Sequence, residues 1–443
     1  MPRRVAIAFA AIIVASATLI AGPALGPPGD TSAPTRPTTI DPSADPSARP
    51  TAASVDPAGA SPVPSVAPTP DVRVIARRPP TASPHLAARL QAQLDRLRAQ
   101  GGLPGVSATI VFADGTAWTG VSGLADVATG SAVTADTGFS FASMTKTFVA
   151  TLVLDLVAEG RLGLDDRAAD LLPDVAIDER ITVHQLLDHT SGVHDFFLAP
   201  AIDAALQGDR SAPWSATQAL TYVGRPYFAP GTGWRYSNTN YLLLGLIAER
   251  LTGVDLATAL RTRFLEPLGL DHIWVQAAES PRGPTAHGYR FTGPATTLPA
   301  IDLSDGSPIM PFTSVVTAAG GAGSIAGTSA DAARWARLLY RGDVLGPSEL
   351  SLMVGDVDVV AGYRPPVPYG LGVQAFVIDG RPTLGHSGRF LGFRGAMRYL
   401  VEEDVAIAVL TNQSRVDPGV FVRALIDIAL PRLGPCVKCP AVD

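Results

Sequence analysis

A serine and a lysine stand three residues apart in the stretch 141–150, FASMTKTFVA. Ser143 offers a nucleophile and Lys146 a base. Lysine is otherwise almost absent: the only other one is Lys438, and the remaining basic side chains are arginine. A partly buried lysine can be made to give up its proton, whereas an arginine in a protein cannot. A site that needs a neutral amine to accept a serine proton therefore needs lysine. After an extended lead-in over 137–142, the text from Ser143 onward reads as a helix closed by Gly160. This puts Ser143 at a helix N-terminus and Lys146 one turn later on the same face, their Cβ atoms about 5–6 Å apart. The free amides and dipole at that end favour developing negative charge. An N-cap beside a surface charge would read the same way, so the pair needs support from elsewhere in the chain.

Two further motifs give that support. Tyr236-Ser237-Asn238 follows a Pro-Gly turn and precedes a helical pattern, and His386-Ser387-Gly388 follows the turn at Asp379-Gly380. In this order and spacing the three elements resemble the serine beta-lactamase and DD-peptidase superfamily. The nearer branch is that of class C beta-lactamases, serine D-Ala-D-Ala carboxypeptidases and related esterases. The stretches 181–196 (ITVHQLLDHTSGVHDF), 320–339 and 369–372 (YGLG) are also similar to it, and the resemblance covers roughly residues 86–430.

The resemblance implies that Ser143 is the nucleophile of an acyl-enzyme and that Lys146 accepts or relays its proton. Tyr236 looks like the tyrosine beside that pair; held between two cations it would act as a phenolate base. The choice between Tyr236 and Lys146 as general base stays open, because coupled groups share protons. Asn238 looks like the residue that grips a substrate amide carbonyl. His386 stands where most beta-lactamases have lysine, and would pass a proton to the leaving group or orient Tyr236. Gly388 would let substrate lie against the strand edge. The oxyanion hole would be the backbone N–H of Ser143 and that of Arg389; losing one such donor typically costs about a hundred- to a thousandfold in rate. Ser387 and Arg389 are the candidates for gripping a substrate carboxylate, since Gln374 stands where a dedicated arginine would be sought. No cofactor and no metal are expected: His184, His189 and His194 surround Asp188-His189-Thr190-Ser191-Gly192 without the carboxylate or cysteine set that completes a ligand shell, and His189 reads as part of a structural turn. Residues 320–323 lack the ending of a phosphate loop and read as a close backbone approach. Phe196 and Phe197 fit either a pocket rim or the core.

The elements that must position these residues are legible too. Ser83 caps and Pro84 opens a helix with a stripe of Leu86, Leu90, Leu94 and Leu97, ended by Gly101-Gly102. Asp114-Gly115, Asp379-Gly380 and Glu402-Glu403-Asp404 each separate two strand-like runs. A last helix runs from Pro418, after Asp417, to Leu430. The fold class is α+β: one antiparallel sheet built from both ends of the chain, flanked by helices, with an inserted all-helical subdomain over about 165–310.

The rest of the 443 residues divides simply. Residues 1–26, with Arg3 and Arg4 before an apolar run, read as an export signal, either cleaved or kept as a membrane anchor. Residues 27–83, rich in Pro, Ala, Ser and Thr, read as a disordered linker. The hydrolase domain is expected over 84–434, and the tail 435–443 carries Cys436 and Cys439, for which export favours a local disulfide. The protein is therefore expected outside the cytoplasm, on the cell-wall side. Net charge is −6 with no basic block, which argues against nucleic acid as a partner. The expected partners are a small peptide, ester or beta-lactam, and peptidoglycan. Of these substrates the reading leans to D-alanyl-D-alanine peptides of the wall, with the esterase and beta-lactamase readings kept open and a low-turnover penicillin or peptidoglycan receptor as the non-enzymatic alternative.

Overall fold

Short turns at Asp114-Gly115, Asp379-Gly380 and Glu402-Glu403-Asp404 fold the two ends of the chain into hairpins. In the computed structural model, which describes residues 81–291, 300–355, 358–360 and 367–430, the early strands are β1 (Gly105–Val111), β2 (Ala117–Asp126), β3 (Ser131–Ala132) and β4 (Phe139–Ser140). The middle of the chain gives β5 (Ile273–Val275), β6 (Tyr289–Arg290), β7 (Ile301–Asp302) and β8 (Ile325–Gly327). The last third gives β9 (Asp358–Val360), β10 (Val367–Tyr369), β11 (Gln374–Ile378), β12 (Arg381–Phe390), β13 (Phe393–Leu400) and β14 (Val405–Thr411). At the β11–β12 turn Asp379 and Gly380 both take positive φ, 49° and 78°, the conformation that a two-residue hairpin matched to strand twist requires.

Nine strands form one sheet in the order β3-β2-β1-β14-β13-β12-β11-β10-β9. Its pairs are antiparallel, and β1 lies against β14, so both ends of the chain build the same sheet. Helix α1 (Pro84–Gly101) and the helix Pro418–Ala429 cover one face. There Leu90, Leu94, Phe421 and Leu425 pack on Val106, Ala108, Ile110, Ala396 and Val409. The alternate side chains of β1 meet the helix Ser329–Arg341 on the other face: Ser107 Oγ and Thr109 Oγ1 are each 2.8 Å from Ser329 Oγ. Helices on both faces explain why β1 and β14 are buried along their whole length.

Helix α2 (Thr145–Ala158) lies on this second face, where Phe148 stacks on Trp335 with ring centroids 4.1 Å apart. The insertion that follows holds several short helices and one long one, Asn238–Thr252. It is not purely helical: β5 returns to pair with β8 in the small sheet β4-β8-β5, and β6 pairs with β7. Such two- and three-residue strands carry too little periodicity to be read from sequence.

All of these elements belong to one compact unit. The expected export signal, most of the linker, and Cys436 and Cys439 lie outside the described residues. Among the described residues no helix is long and apolar enough to cross a membrane.

Candidate active site

Ser143 sits in a tight turn pinned to the small sheet. The Phe141 N–H donates to the Ile325 carbonyl at 2.9 Å, and the Met144 N–H to the Phe141 carbonyl at 3.1 Å. Ala142 has φ +47°, a left-handed conformation that costs a non-glycine residue about 1–3 kcal/mol and persists only when its surroundings fix it. A 3₁₀ turn, Ala142–Met144, precedes α2, so Ser143 stands just before the helix and not on its first turn. One fixing neighbour is Gly388 of β12, where a Cβ would lie 2.0 Å from the Phe141 carbonyl oxygen. What approaches this glycine is the backbone of the nucleophile turn.

Lys146 points back at Ser143 from the first turn of α2. It is fully buried, with Nζ 3.2 Å from Ser143 Oγ, 2.8 Å from Asn238 Oδ1 and 2.9 Å from the Ala322 carbonyl. The carbonyl belongs to the glycine-rich turn Gly320–Ala322, where Gly321 packs on the helix that starts at Asn238. Burial pushes the Lys146 pKa from 10.5 down to about 7, and the Asp195 carboxylate opposes that fall. The geometry accommodates a neutral amine. Asn238 Oδ1 and the Ala322 carbonyl can only accept, so the two N–H groups of a neutral amine go to them. The lone pair is left facing Ser143 Oγ, whose O–H is the partner able to donate.

Tyr236 lies against this amine, with Nζ 4.9 Å from the ring centroid. Asn238 opens its helix and bridges two groups: Oδ1 takes the lysine and Nδ2 donates to Asp195 Oδ2 at 2.9 Å.

Beneath Tyr236 runs a buried chain of polar groups with one consistent direction. His189 Nδ1 accepts the Ser237 N–H at 3.2 Å and lies 3.1 Å from Asn240 Nδ2. The His189 proton is thus assigned to Nε2, which donates to Tyr369 Oη at 3.2 Å. Tyr369 donates on to His386 Nε2 at 3.0 Å, and His386 Nδ1–H to the Ser387 carbonyl at 2.7 Å. Burial first, and then the Lys146 charge, push both imidazoles well below 6.5, so both are neutral at pH 7. The His189 ring is 4.3 Å from that of Tyr236, and the His386 ring 6.5 Å. Both His386 nitrogens are engaged and the residue is 1% exposed, which holds its ring in place beside Tyr369. Neither histidine supplies the second cation that a Tyr236 phenolate would need.

Strand β12 forms one wall. The Ser387 N–H points toward β11, but there it meets the Gln374 side chain, donating to Oε1 at 2.9 Å. Two residues on, strand alternation aims the Arg389 N–H the same way, past the end of β11. The expected oxyanion donor therefore lies on an open stretch of strand edge. The side chains go elsewhere. Ser387 pairs with Ala396, whose side chain is in the core under the terminal helices, and Ser387 Oγ accepts from Arg398 Nη2 at 2.5 Å. Arg389 shares a face with its partner Arg394, which lies 3.7 Å from Asp417. Ser387 Oγ is thus engaged by Arg398, and Arg389 lies on the Arg394 face of the strand. Arg398 reaches Gln374 and Ser387 because Gly385, between them in register, has no side chain.

A protein-family model described as Beta-lactamase matches residues 90–429. The chain belongs to the beta-lactamase family. It is 32% identical over 341 residues to penicillin-binding protein 4 of Amycolatopsis lactamdurans, covering 73% of this chain and 85% of that protein. It is 33% identical over 222 residues to esterase EstB of Burkholderia gladioli, covering 44% of this chain and 53% of the esterase. Among solved structures, a D-stereospecific amidohydrolase from Streptomyces sp. matches with a TM-score of 0.66 at 29% identity, over 78% of this chain and 98% of that one. The D-amino acid amidase from Ochrobactrum anthropi matches with a TM-score of 0.68 at 25% identity, over the same shares.

This beta-lactamase-family protein is a serine hydrolase. Three of its site groups had no role in the sequence reading. Asp195 is one amid the HDFF text, Tyr369 belongs to YGLG, and His189 read only as a turn residue. The turn is real, with φ +68° at His189, but the ring does more than fill it. Phe196 is core, while Phe197 is half-buried with its ring 6.3 Å from that of Phe390.

Proposed function

We propose that this protein hydrolyses amide bonds of D-amino acid derivatives through an acyl-enzyme on Ser143. The neutral Lys146 takes the Ser143 proton as Oγ attacks the carbonyl carbon. The N–H groups of Ser143 and Arg389 receive the negative charge of the tetrahedral intermediate. When it collapses, the proton on Lys146 passes to the leaving nitrogen, and Lys146 is again ready to activate the water that releases the acyl group. His386, Tyr369 and His189 hold Tyr236 against the lysine.

The arrangement of Ser143, Lys146 and its two obligate acceptors carries the hydrolase reading. The turn of the Ser387 and Arg389 side chains toward the far face of β12 favours a substrate held without a grip on a free carboxylate, and the likeness to a D-stereospecific amidohydrolase and a D-amino acid amidase points the same way. A D-alanyl-D-alanine carboxypeptidase is the second reading, favoured by the likeness to penicillin-binding protein 4. The N-terminal sequence favours work outside the cytoplasm under either one. The esterase and beta-lactamase readings rest on likeness alone.

Intact-mass spectrometry with turnover assays separates them. The full chain and Ser143→Ala would be given D-phenylalanine amide, its L isomer, a D-Ala-D-Ala peptide, a penicillin and a nitrophenyl ester. The expected result is turnover of the D-amide over the L-amide, and no adduct with Ser143→Ala. Release of D-alanine from the peptide without amide turnover would replace the amidase reading with the carboxypeptidase one. Acylation of Ser143→Ala would remove the site assignment altogether.

A further inference from the structure

Asp195 touches neither Ser143 nor Lys146, yet its place is tightly fixed. It is 4% exposed and both carboxylate oxygens are used. Oδ1 accepts the Phe197 N–H at 3.1 Å, and Oδ2 accepts Asn238 Nδ2–H at 2.9 Å. Its own N–H donates to Tyr227 Oη at 3.1 Å. The segment around it is joined to the first turn of the Asn238 helix: the Phe196 N–H donates to Thr239 Oγ1 at 3.0 Å, and Thr239 Oγ1–H to the His194 carbonyl at 2.7 Å.

An asparagine amide can sit either way round, but a carboxylate can only accept. We propose that Asp195 is a positioning residue for the Ser143–Lys146 pair, forcing the Asn238 nitrogen toward itself and so the Asn238 oxygen toward the lysine. The reverse orientation would aim an amide N–H at Nζ. A neutral amine would then turn its lone pair to Asn238, and Ser143 would lose its acceptor. The carboxylate also adds a negative charge near the amine. The other groups around Lys146 are Ser143, the Ala322 carbonyl, the Tyr236 and Tyr241 rings at 4.9 and 5.4 Å, and the neutral His189 and His386. Asp195 is the group that raises the proton affinity of Lys146 against its burial.

The inference rests on Lys146 being the proton acceptor, and the test keeps the two apart. Asp195→Asn keeps the volume and an oxygen to cap Phe197 but removes the charge and the forced orientation. Asp195→Ser is the second variant, since serine also caps. Each is expected to lose about a hundredfold in kcat, the size of loss that small misplacements produce. Each should also move the acid limb of the pH profile to lower pH, because the amine loses a neighbouring anion. Asp195→Glu, which restores charge and acceptor, should return the limb toward its wild-type position. The chain has two lysines, so lysine-selective NMR reads the Lys146 titration in each variant without substrate. A wild-type amine titrating near 7, unmoved in both neutral variants, would overturn the role of Asp195 alone. A wild-type amine titrating near 10.5 would overturn the proton-acceptor reading itself and this inference with it.

Discussion

Lys146 has three directions to fill, and two are taken by oxygens that can only accept. This is why the chain writes lysine at 146: arginine would keep a charge there but could not vacate the third direction for the serine proton. Lys146→Arg is therefore expected to be nearly as inactive as Lys146→Ala, both down by about 10²–10⁴-fold as for loss of a general base. Steady-state rates of the two variants check this, and substantial activity in Lys146→Arg would show that charge alone suffices. Ser143 and Lys146 were legible because they lie one helical turn apart. Asp195 and the ring of His189 were not, because their partners lie far along the chain: Asn238 is 43 residues from Asp195, and Tyr369 is 180 from His189. Only the fold makes them neighbours.

Strand β12 does several things at once, and the pleat divides them. His386 and Gly388 face the nucleophile turn, Ser387 and Arg389 face the terminal helices, and the strand edge keeps the Arg389 N–H. The sequence placed His386-Ser387-Gly388 after the Asp379-Gly380 turn, and β12, Arg381–Phe390, carries all three. The Gly385 and Gly388 that make the strand text look weak are there for close approaches, to Met397 and Phe141. Gly388→Ala would push a methyl into the Phe141 carbonyl. It is expected to lose about 1–3 kcal/mol of stability, as overpacking does, together with most activity as the Ser143 turn shifts. Gly208→Ala meets nothing within 4 Å and should change neither by much. Thermal melts and rates of the two variants check the contrast; equal behaviour would remove the packing argument for Gly388.

At the scale of the molecule, a sheet made from both ends of the chain places β12 beside the turn carrying Ser143. The capped terminal helices and hairpin turns made that plan readable, since each is a local signal. The short strands of the insertion were not readable for the opposite reason. Burying Lys146 inside this frame has a stability consequence. The amine titrates at about 7 when folded and near 10.4 when unfolded, so between those values the unfolded chain holds the extra proton. Stability therefore rises with pH across that window, by at most about 1.4 kcal/mol per unit. Relative to Lys146→Met, which cannot titrate, the wild type should gain stability from pH 7 to pH 9 in chemical denaturation, and no gain would mean the amine is not depressed. The most direct test uses the scarcity of lysine in the whole chain. With lysine labelled at Cε and Lys438→Arg used to assign the two signals, the Lys146 signal is followed from pH 5 to pH 11 in the full-length protein. The expected midpoint for Lys146 is near 7, well below the ordinary lysine value of 10.5. A Lys146 midpoint near 10.5 would contradict the depressed, proton-accepting amine.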